Sequence, residues 1–127
     1  MEIIKVELPT SLKAAGHIPH FENEWNPHRH YLAAIEEGQI VGLVCFNWQP
    51  GWLENAFGIG YVSVAEAFRG RGVATALTDA FFALAAKEHR GVFVTAYEPD
   101  GKRYLRKLIQ RAASRHQVSY VERDYLT

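Results

Sequence analysis

Apolar and polar residues alternate from Glu2 to Leu8, with Ile4, Val6 and Leu8 set against Lys5 and Glu7, and this period of two predicts a half-buried strand. Pro9, Thr10 and Ser11 end it, and Ser11 can cap a short helix over Leu12 to Ala15. Residues 17–30 carry no period. Tyr31 to Ile35 and Gln39 to Trp48 then read as two strands joined through Glu36-Glu37-Gly38, a hairpin signal. Gln49-Pro50-Gly51-Trp52 breaks the pattern before a further strand from Phe57 to Val64. Beyond it the period changes to that of a helix. Val73, Leu77, Ala80, Phe81 and Leu84 form an apolar stripe on a helix from about Gly72 to His89. Gly91 to Tyr97 is the next strand, and Pro99-Asp100-Gly101 a turn that can cap the next helix. Leu105, Leu108, Ile109 and Ala112 mark the buried stripe of that helix, which ends near His116, and Val118 to Tyr125 closes the chain as a strand.

The order is therefore strand, short helical region, three strands, helix, strand, helix, strand. No repeat, low-complexity tract or linker interrupts it, so the 127 residues are expected to form one domain, 1–127. The composition, 48% hydrophobic and 22% charged, is that of a globular chain. No apolar run approaches the roughly 20 residues of a membrane helix, and no basic segment followed by an apolar one opens the chain, so the expected location is cytoplasmic. Cys45 is the single cysteine and lies in the apolar run Ile40 to Phe46, which makes it a buried structural thiol. Zero net charge conceals an asymmetry. Residues 1–66 carry three bases against eight acids, a net of −5, and residues 67–127 carry eleven against six, a net of +5. A basic half suits a polyphosphate, and an acidic half draws in a cationic amine.

The candidate chemistry begins where the fourth strand ends. Val62-Ser63-Val64 runs into Ala65-Glu66-Ala67-Phe68 and then Arg69-Gly70-Arg71-Gly72, after which Val73, Ala74 and Thr75 open a helix. Gly70 and Gly72 permit backbone conformations that a Cβ would block, so successive N–H groups can converge on an anion at the helix N-terminus. The loop is neither a Walker loop, since no lysine follows Gly72, nor a dinucleotide fingerprint, since Thr75 stands where the third glycine belongs. Arg69-x-x-Gly72-x-Ala74 instead resembles the Arg/Gln-x-x-Gly-x-Gly/Ala signature of the GNAT superfamily, the N-acetyltransferases that use acetyl-CoA.

That resemblance covers nearly the whole chain and implies an α/β (α+β) fold. Its sheet is mixed and mostly antiparallel, flanked by helices, with the fourth and fifth strands splayed to admit a pantetheine arm. Two departures stand out: a short region between the first two strands, and about one strand instead of two after the last helix. They imply a truncated acceptor side, or one completed by a second subunit, so a homodimer is a candidate. The implied activity is transfer of acetyl from acetyl-CoA to a primary amine by direct attack in a ternary complex. The acceptor, whether a small molecule, a protein or aminoacyl-tRNA, is left open. By the same resemblance Gly70, Arg71, Gly72, Val73, Ala74 and Thr75 hold the pyrophosphate, mostly through backbone N–H groups, and Arg69 and Arg71 add charge-assisted contacts. Val62, Ser63 and Val64 match the segment that pairs with pantetheine and turns an N–H toward the thioester carbonyl. Removing one such donor typically costs on the order of 100- to 1,000-fold in rate.

The leaving thiolate needs an acid, and a phenol of pKa about 10 can protonate a thiolate of pKa about 8.5. Many members carry that tyrosine in an Asn-x-x-Ala-x-x-x-Tyr arrangement absent from this chain. Tyr104, in the first turn of the last helix, is the first candidate, and Tyr97, at the end of the fifth strand, the second. For the base, some histone-type members place a glutamate where this chain has Gly58. Glu54 on the preceding loop takes the role here, with His28 or His30 as alternatives, and a water relay would leave no trace. His17, His20, His28 and His30 lie close enough to be written as zinc ligands, yet their aromatic neighbours Phe21, Trp25 and Tyr31 favour packing, and no metal is expected. Trp48, Trp52 and Phe57 either wall the acceptor pocket or cover one end of the sheet.

Between Gly101 and His116 stand six bases and no acid. Arg103, Lys107, Arg111 and Arg115 recur every four residues, a solvated stripe that can reach CoA phosphates at its start and nucleic acid or an acidic protein further on. The competing class is thus a non-catalytic module on the same fold that binds acyl-CoA, nucleic acid or protein.

Overall fold

A computed structural model of the chain describes residues 1–6, 18, 29–47, 56–94 and 102–122, with side chains from 104 onward in the last stretch. Within them lie six strands and two helices: β1 (Glu2–Val6), β2 (Arg29–Glu36), β3 (Gln39–Asn47), β4 (Ala56–Val64), α1 (Val73–Lys87), β5 (Gly91–Val94), α2 (Lys102–His116) and β6 (Tyr120–Glu122). The order follows the periodic reading. The short helix over Leu12 to Ala15 and the continuations of the first, third, fifth and sixth strands fall outside the described residues.

The strands form one sheet in the order β1-β2-β3-β4-β5-β6. The first four are antiparallel neighbours, whereas β4 pairs with β5, and β5 with β6, in parallel. A parallel neighbour cannot be reached by a tight turn, so α1 and α2 are the two crossover connections. Both lie on one face and pack against each other. The β2–β3 hairpin turns through Glu37 and Gly38 at φ 51° and 75°, the pair of left-handed residues that suits the right-handed twist of the flanking strands.

One core fills the space between the sheet and the helices. Phe46 of β3, Phe57 of β4 and Phe81 of α1 meet with ring centroids 5.1 to 6.0 Å apart, and Phe82 stands edge-on to Phe81. Phe57 is only 5% exposed and belongs to this core. A second cluster, with Val6, Ile18, Tyr31, Leu43 and Cys45, lies on the opposite face. Central strands covered on both sides must be apolar throughout, which is why Ile40 to Phe46 of β3 reads as an unbroken run with glycine as its one gap. Cys45 is buried, as expected of a structural thiol.

The stripe predicted for α1 is too narrow. Val73, Leu77 and Phe81 are buried, but so are Thr78, Phe82 and Ala85, while Ala80 and Leu84 are only partly covered. The helix is covered both by the sheet and by α2, which widens the face beyond what one contact surface requires. Thr78 is tolerated there because its hydroxyl donates to the Ala74 carbonyl at 2.8 Å. The last strand also starts later than the alternation from Val118 suggests. Gln117 turns at φ 55° and the Val118 N–H donates to the Ala113 carbonyl, so Val118 closes the helix and plugs its end.

Polar contacts fix the helices against their neighbours. Arg106 of α2 donates through Nε and Nη2 to both carboxylate oxygens of Glu122 on β6, each at 2.8 Å. Asp79 of α1 meets Arg115 at 3.0 Å and His116 Nε2 at 2.9 Å. Burial pushes the Asp79 carboxyl up, but the hydrogen bonds and charges of His116 and Arg115 outweigh it and hold its pKa below the usual carboxylate range. Among the described residues no helix is long and apolar enough to cross a membrane.

Gly42 sets how closely α1 approaches the sheet. A Cβ there would stand 2.9 Å from Val73 Cγ1, 3.0 Å from Leu77 Cδ1 and 3.2 Å from the Ser63 carbonyl oxygen. Gly42→Ala is expected to destabilise the fold by about 1–3 kcal/mol, read from the denaturant midpoint; an unchanged midpoint would refute the close seat. Asp79→Asn tests the helix–helix clamp. A lowered folded pKa adds stability that is present above the unfolded value of about 3.9 and lost as pH falls through the folded one. The parent should therefore lose more stability than D79N between pH 6 and pH 3, by under about 1 kcal/mol for so accessible a pair. Parallel pH–stability curves would remove the clamp.

Candidate functional site

The parallel pairing of β4 with β5 covers only Ala56 to Ile59, opposite Gly91 to Val94. From Gly60 to Val64, β4 is paired with β3 alone among the described residues. The β3–β4 pairing carries a bulge. Cys45 of β3 stands opposite Tyr61 and Phe46 opposite Ile59, so Gly60 is the extra residue. A bulge sharpens the local twist and bends the strand that carries it. β5 is described only as far as Val94, opposite Ile59, so the splay expected of strands four and five falls outside the described residues. Gly60 suits the position because a Cβ would press on the Cys45 carbonyl oxygen at 3.3 Å.

Past the bulge, Val62 and Val64 pack partly buried against the main core, and Ser63 is 6% exposed. Their side chains are thus structural, and what this stretch offers outward is main-chain N–H and C=O on every second residue. The strand ends as Ala65 N–H donates to the Val41 carbonyl. A single 3-10 turn, Glu66–Phe68, follows, which the glycine-rich pattern did not reveal.

Gly70 and Gly72 then take φ values of 79° and 81°. Gly72 is the N-cap of α1, with no side-chain cap and no acidic residue in the first turn. Helix geometry leaves the first-turn N–H groups, those of Val73, Ala74 and Thr75, without a carbonyl four residues back. The two left-handed glycines and the helix start therefore make a cradle of donors at the positive end of the dipole. Nothing lies within 4 Å of the Cβ position of either glycine, so the loop is open above. Such a cradle fits a diphosphate.

The two arginines of the loop differ in use. Arg69 Nε donates to the Val64 carbonyl at 3.3 Å, so Arg69 braces the loop against the end of β4. Arg71 is exposed and lays its guanidinium 5.0 Å from the centroid of Phe68.

Of the proton-transfer candidates, Tyr104 stands in the first turn of α2, 59% exposed rather than packed beside Leu108. Glu54, Tyr97, His17, His20 and His28 lie outside the described residues, as do Trp48 and Trp52. His30 is on β2, stacked on Phe46 with centroids 5.5 Å apart. Gly58 is closed to any side chain, because a Cβ would run into Asn47 Oδ1 and the ring of Phe93. No carboxylate can project from β4 there. Tyr61 stands just past the bulge, and the sequence reading passed it over. Its phenol belongs to the second cluster near Tyr31 and Cys45, where burial pushes its pKa well above 10. Burial raises Tyr31 in the same way. Both are weaker acids than an open phenol, which disfavours either as the donor to a thiolate.

The family model of the acetyltransferase (GNAT) family matches residues 1–100. Among solved structures, GCN5 of Tetrahymena superposes with a TM-score of 0.58 at 18% identity over 65% of this chain and 51% of that one, so the chain spans about half of that relative. The ribosomal-protein-alanine N-acetyltransferase of Brucella melitensis biovar Abortus 2308 gives 0.61 at 20% identity, covering 87% of this chain and 88% of that one. An aminoglycoside acetyltransferase from an uncultured soil metagenomic sample, solved with trehalose, gives 0.62 at 15% identity and 86% of each chain. Likeness at this level of identity establishes a shared fold. No curated protein matches the chain.

Gly72→Ala separates backbone conformation from crowding, since its Cβ meets nothing. The variant is expected to lose about 1 kcal/mol or more of stability by equilibrium unfolding, the cost of a left-handed alanine. A variant as stable as the parent would show that this turn is not left-handed.

Proposed function

The chain belongs to the acetyltransferase (GNAT) family, and on that footing we propose that it transfers an acetyl group from acetyl-CoA to a primary amine by direct attack in a ternary complex. The observation that carries the reading is the run from the end of β4 into two left-handed glycines at the N-terminus of α1. Acetyl-CoA supplies the activated acetyl group as a thioester.

In this reading the N–H groups from Gly70 to Thr75 hold the pyrophosphate, and Arg71 can leave Phe68 to add a charge-assisted contact. Arg69 keeps the loop in register with the strand. The free edge of Val62, Ser63 and Val64 lines up the pantetheine arm as an added strand would and directs one N–H at the thioester carbonyl. The new C–N bond forms as the C–S bond breaks. The amine's proton goes to a base, for which Glu54 is the candidate, and the thiolate takes a proton from Tyr104 or, failing that, Tyr97. With Gly58 closed to side chains, the base must come from outside β4, which supports a loop residue or a water relay. The acceptor is an amine of unselected class: the neighbours named for ribosomal-protein alanine and for aminoglycosides span both protein and small-molecule substrates. One cysteine, buried on β3, is in keeping with a single domain working in the cytoplasm.

Titration calorimetry with CoA and acetyl-CoA is expected to show saturable binding to the parent protein, and its absence would overturn the reading. Thiol release from acetyl-CoA should depend on an added primary amine; binding without release for any amine would identify an acyl-CoA-binding module instead. Because the amine must lose a proton before it attacks, the chemistry-limited rate should rise with pH through the pKa of the base or the amine. A flat profile from pH 6 to 9 would exclude that step.

A further inference from the structure

The face of the sheet turned away from the helices carries a row of side chains that the proposed reaction leaves without a role. Phe57 and Ile59 of β4, and Val92 and Val94 of β5, point into the main core, so Gly58 and Phe93 between them face the other way. Register sets Gly58 opposite Phe93 on one side and opposite Asn47 of β3 on the other, and Asn47 in turn opposite Arg29 of β2. Arg29, Asn47, Gly58 and Phe93 therefore form one row across four strands. The next row, past the bulge, is Tyr31, Cys45 and Tyr61.

At Gly58 the row has no side chain, and the Asn47 amide takes the space. A Cβ there would run into Asn47 Oδ1 and into the edge of the Phe93 ring, so amide and ring converge over the glycine. Phe93 is 5% exposed and backs the amide. Asn47 is half-buried, and among the described residues no hydrogen bond engages its side chain. A carboxamide fixed by packing, with neither its oxygen nor its NH2 engaged by the protein, is set for a partner from outside. Beside it Arg29, also half-buried, is hydrogen-bonded to the Tyr31 phenol, which steadies a guanidinium that carries five donors in a fixed fork. The helix side of the sheet, by contrast, is filled by the aromatic core, and the cradle draws a cofactor to the N-terminus of α1 on that side. A second substrate has this face of β4 left to approach from.

We propose, resting on the acetyl-transfer reading and narrowing its acceptor, that this row is the acceptor subsite and that it takes an α-amino acid. The Asn47 amide oxygen accepts a hydrogen bond from the amine, and Arg29 pairs with the carboxylate on the neighbouring carbon. Cross-strand neighbours stand about 5 Å apart at Cβ, a spacing that two groups on one carbon bridge when each is met by a side chain. The amide oxygen is neutral, so it orients the amine without favouring the ammonium form, which cannot attack. Asn47 takes no proton; that still leaves through the base. Specificity comes from Arg29, since a guanidinium fork matches a carboxylate in two parallel hydrogen bonds.

The test measures thiol release from acetyl-CoA with alanine, methionine, phenylalanine and glutamate, each as the free acid and as its α-carboxamide, with every rate referred to the neutral amine. For at least one pair the parent is expected to show a kcat/KM about tenfold higher for the acid, the worth of one charge-assisted contact. Arg29→Ala should lower that acid to the level of its amide, and Arg29→Lys should restore part of the difference. Asn47→Ala should lower acid and amide alike, about fivefold, the worth of a neutral hydrogen bond. Acetyl-CoA affinity, read by titration calorimetry, should stay at the parent value in all three variants; a matching fall would make the residue structural and remove it from the subsite. No loss in N47A likewise removes Asn47. Equal rates for acid and amide in every pair, or release with no probe while acetyl-CoA binds, overturns the α-amino acid acceptor and leaves the cradle standing. No binding of acetyl-CoA overturns the acetyl-transfer reading beneath it.

Discussion

Helix α1 has its seat because residue 42 has no side chain. Val73 and Leu77 rest where a Cβ on β3 would stand, and the Ser63 carbonyl closes the same space from β4. Val73 is also the first helical residue, so the contact that docks the helix fixes where it begins. Everything functional follows from that position. Had the helix been held even a methyl group further out, its first-turn N–H groups would no longer follow directly on the end of β4.

The second requirement is a strand that changes partners along its length. β4 pairs with β5 from Ala56 to Ile59 and with β3 from Gly58 to Val64, and Gly60 is the bulge within the second pairing. An unpaired main-chain edge invites association with whatever can supply hydrogen bonds, and proteins usually cover it. Here the bulge is anchored by packing on either side, with Phe57 and Ile59 buried before it and Ser63 buried after. A ligand held by main chain in this way makes few demands on side chains, and relatives at 15 to 20% identity can share the frame without sharing its residues.

Both helices are held to this frame by apolar packing: aromatic rings seat α1 on β3 and β4, and Ile109, Ala112 and Ala113 of α2 enter the same core, while pairs in which arginine or histidine meets a carboxylate tie α2 to α1 and β6 nearer the surface. Such exposed pairs contribute little energy singly, but they orient. The incomplete closure between α1 and α2 is a consequence: small and polar residues meet along the line Thr75, Asp79, Arg111, Ala112, where larger apolar ones would have sealed it.

Most of the architecture could be read from local pattern, because period and punctuation are properties of neighbouring residues. The strand at β1, the Glu37-Gly38 turn and the start of α1 at Gly72 each depend on side chains within a few positions of one another, and each appears in the fold where it was expected, although in β1 Val6 is buried while Ile4 is exposed and Ile3 packs on the core instead. The cradle was legible for the same reason, since its glycines, its arginines and its helix are contiguous. What local pattern could not carry was any fact about distant partners. The breadth of the α1 face depended on a second helix packing against it, the core place of Phe57 on rings from β3 and α1, and the closure of Gly58 on Phe93 from another strand. The bulge at Gly60 was of this kind too, because a bulge exists only between two strands. One chain can spell out its elements residue by residue, but which of them touch, and what gap is left where they do not, is settled only when all of them compete for the same space.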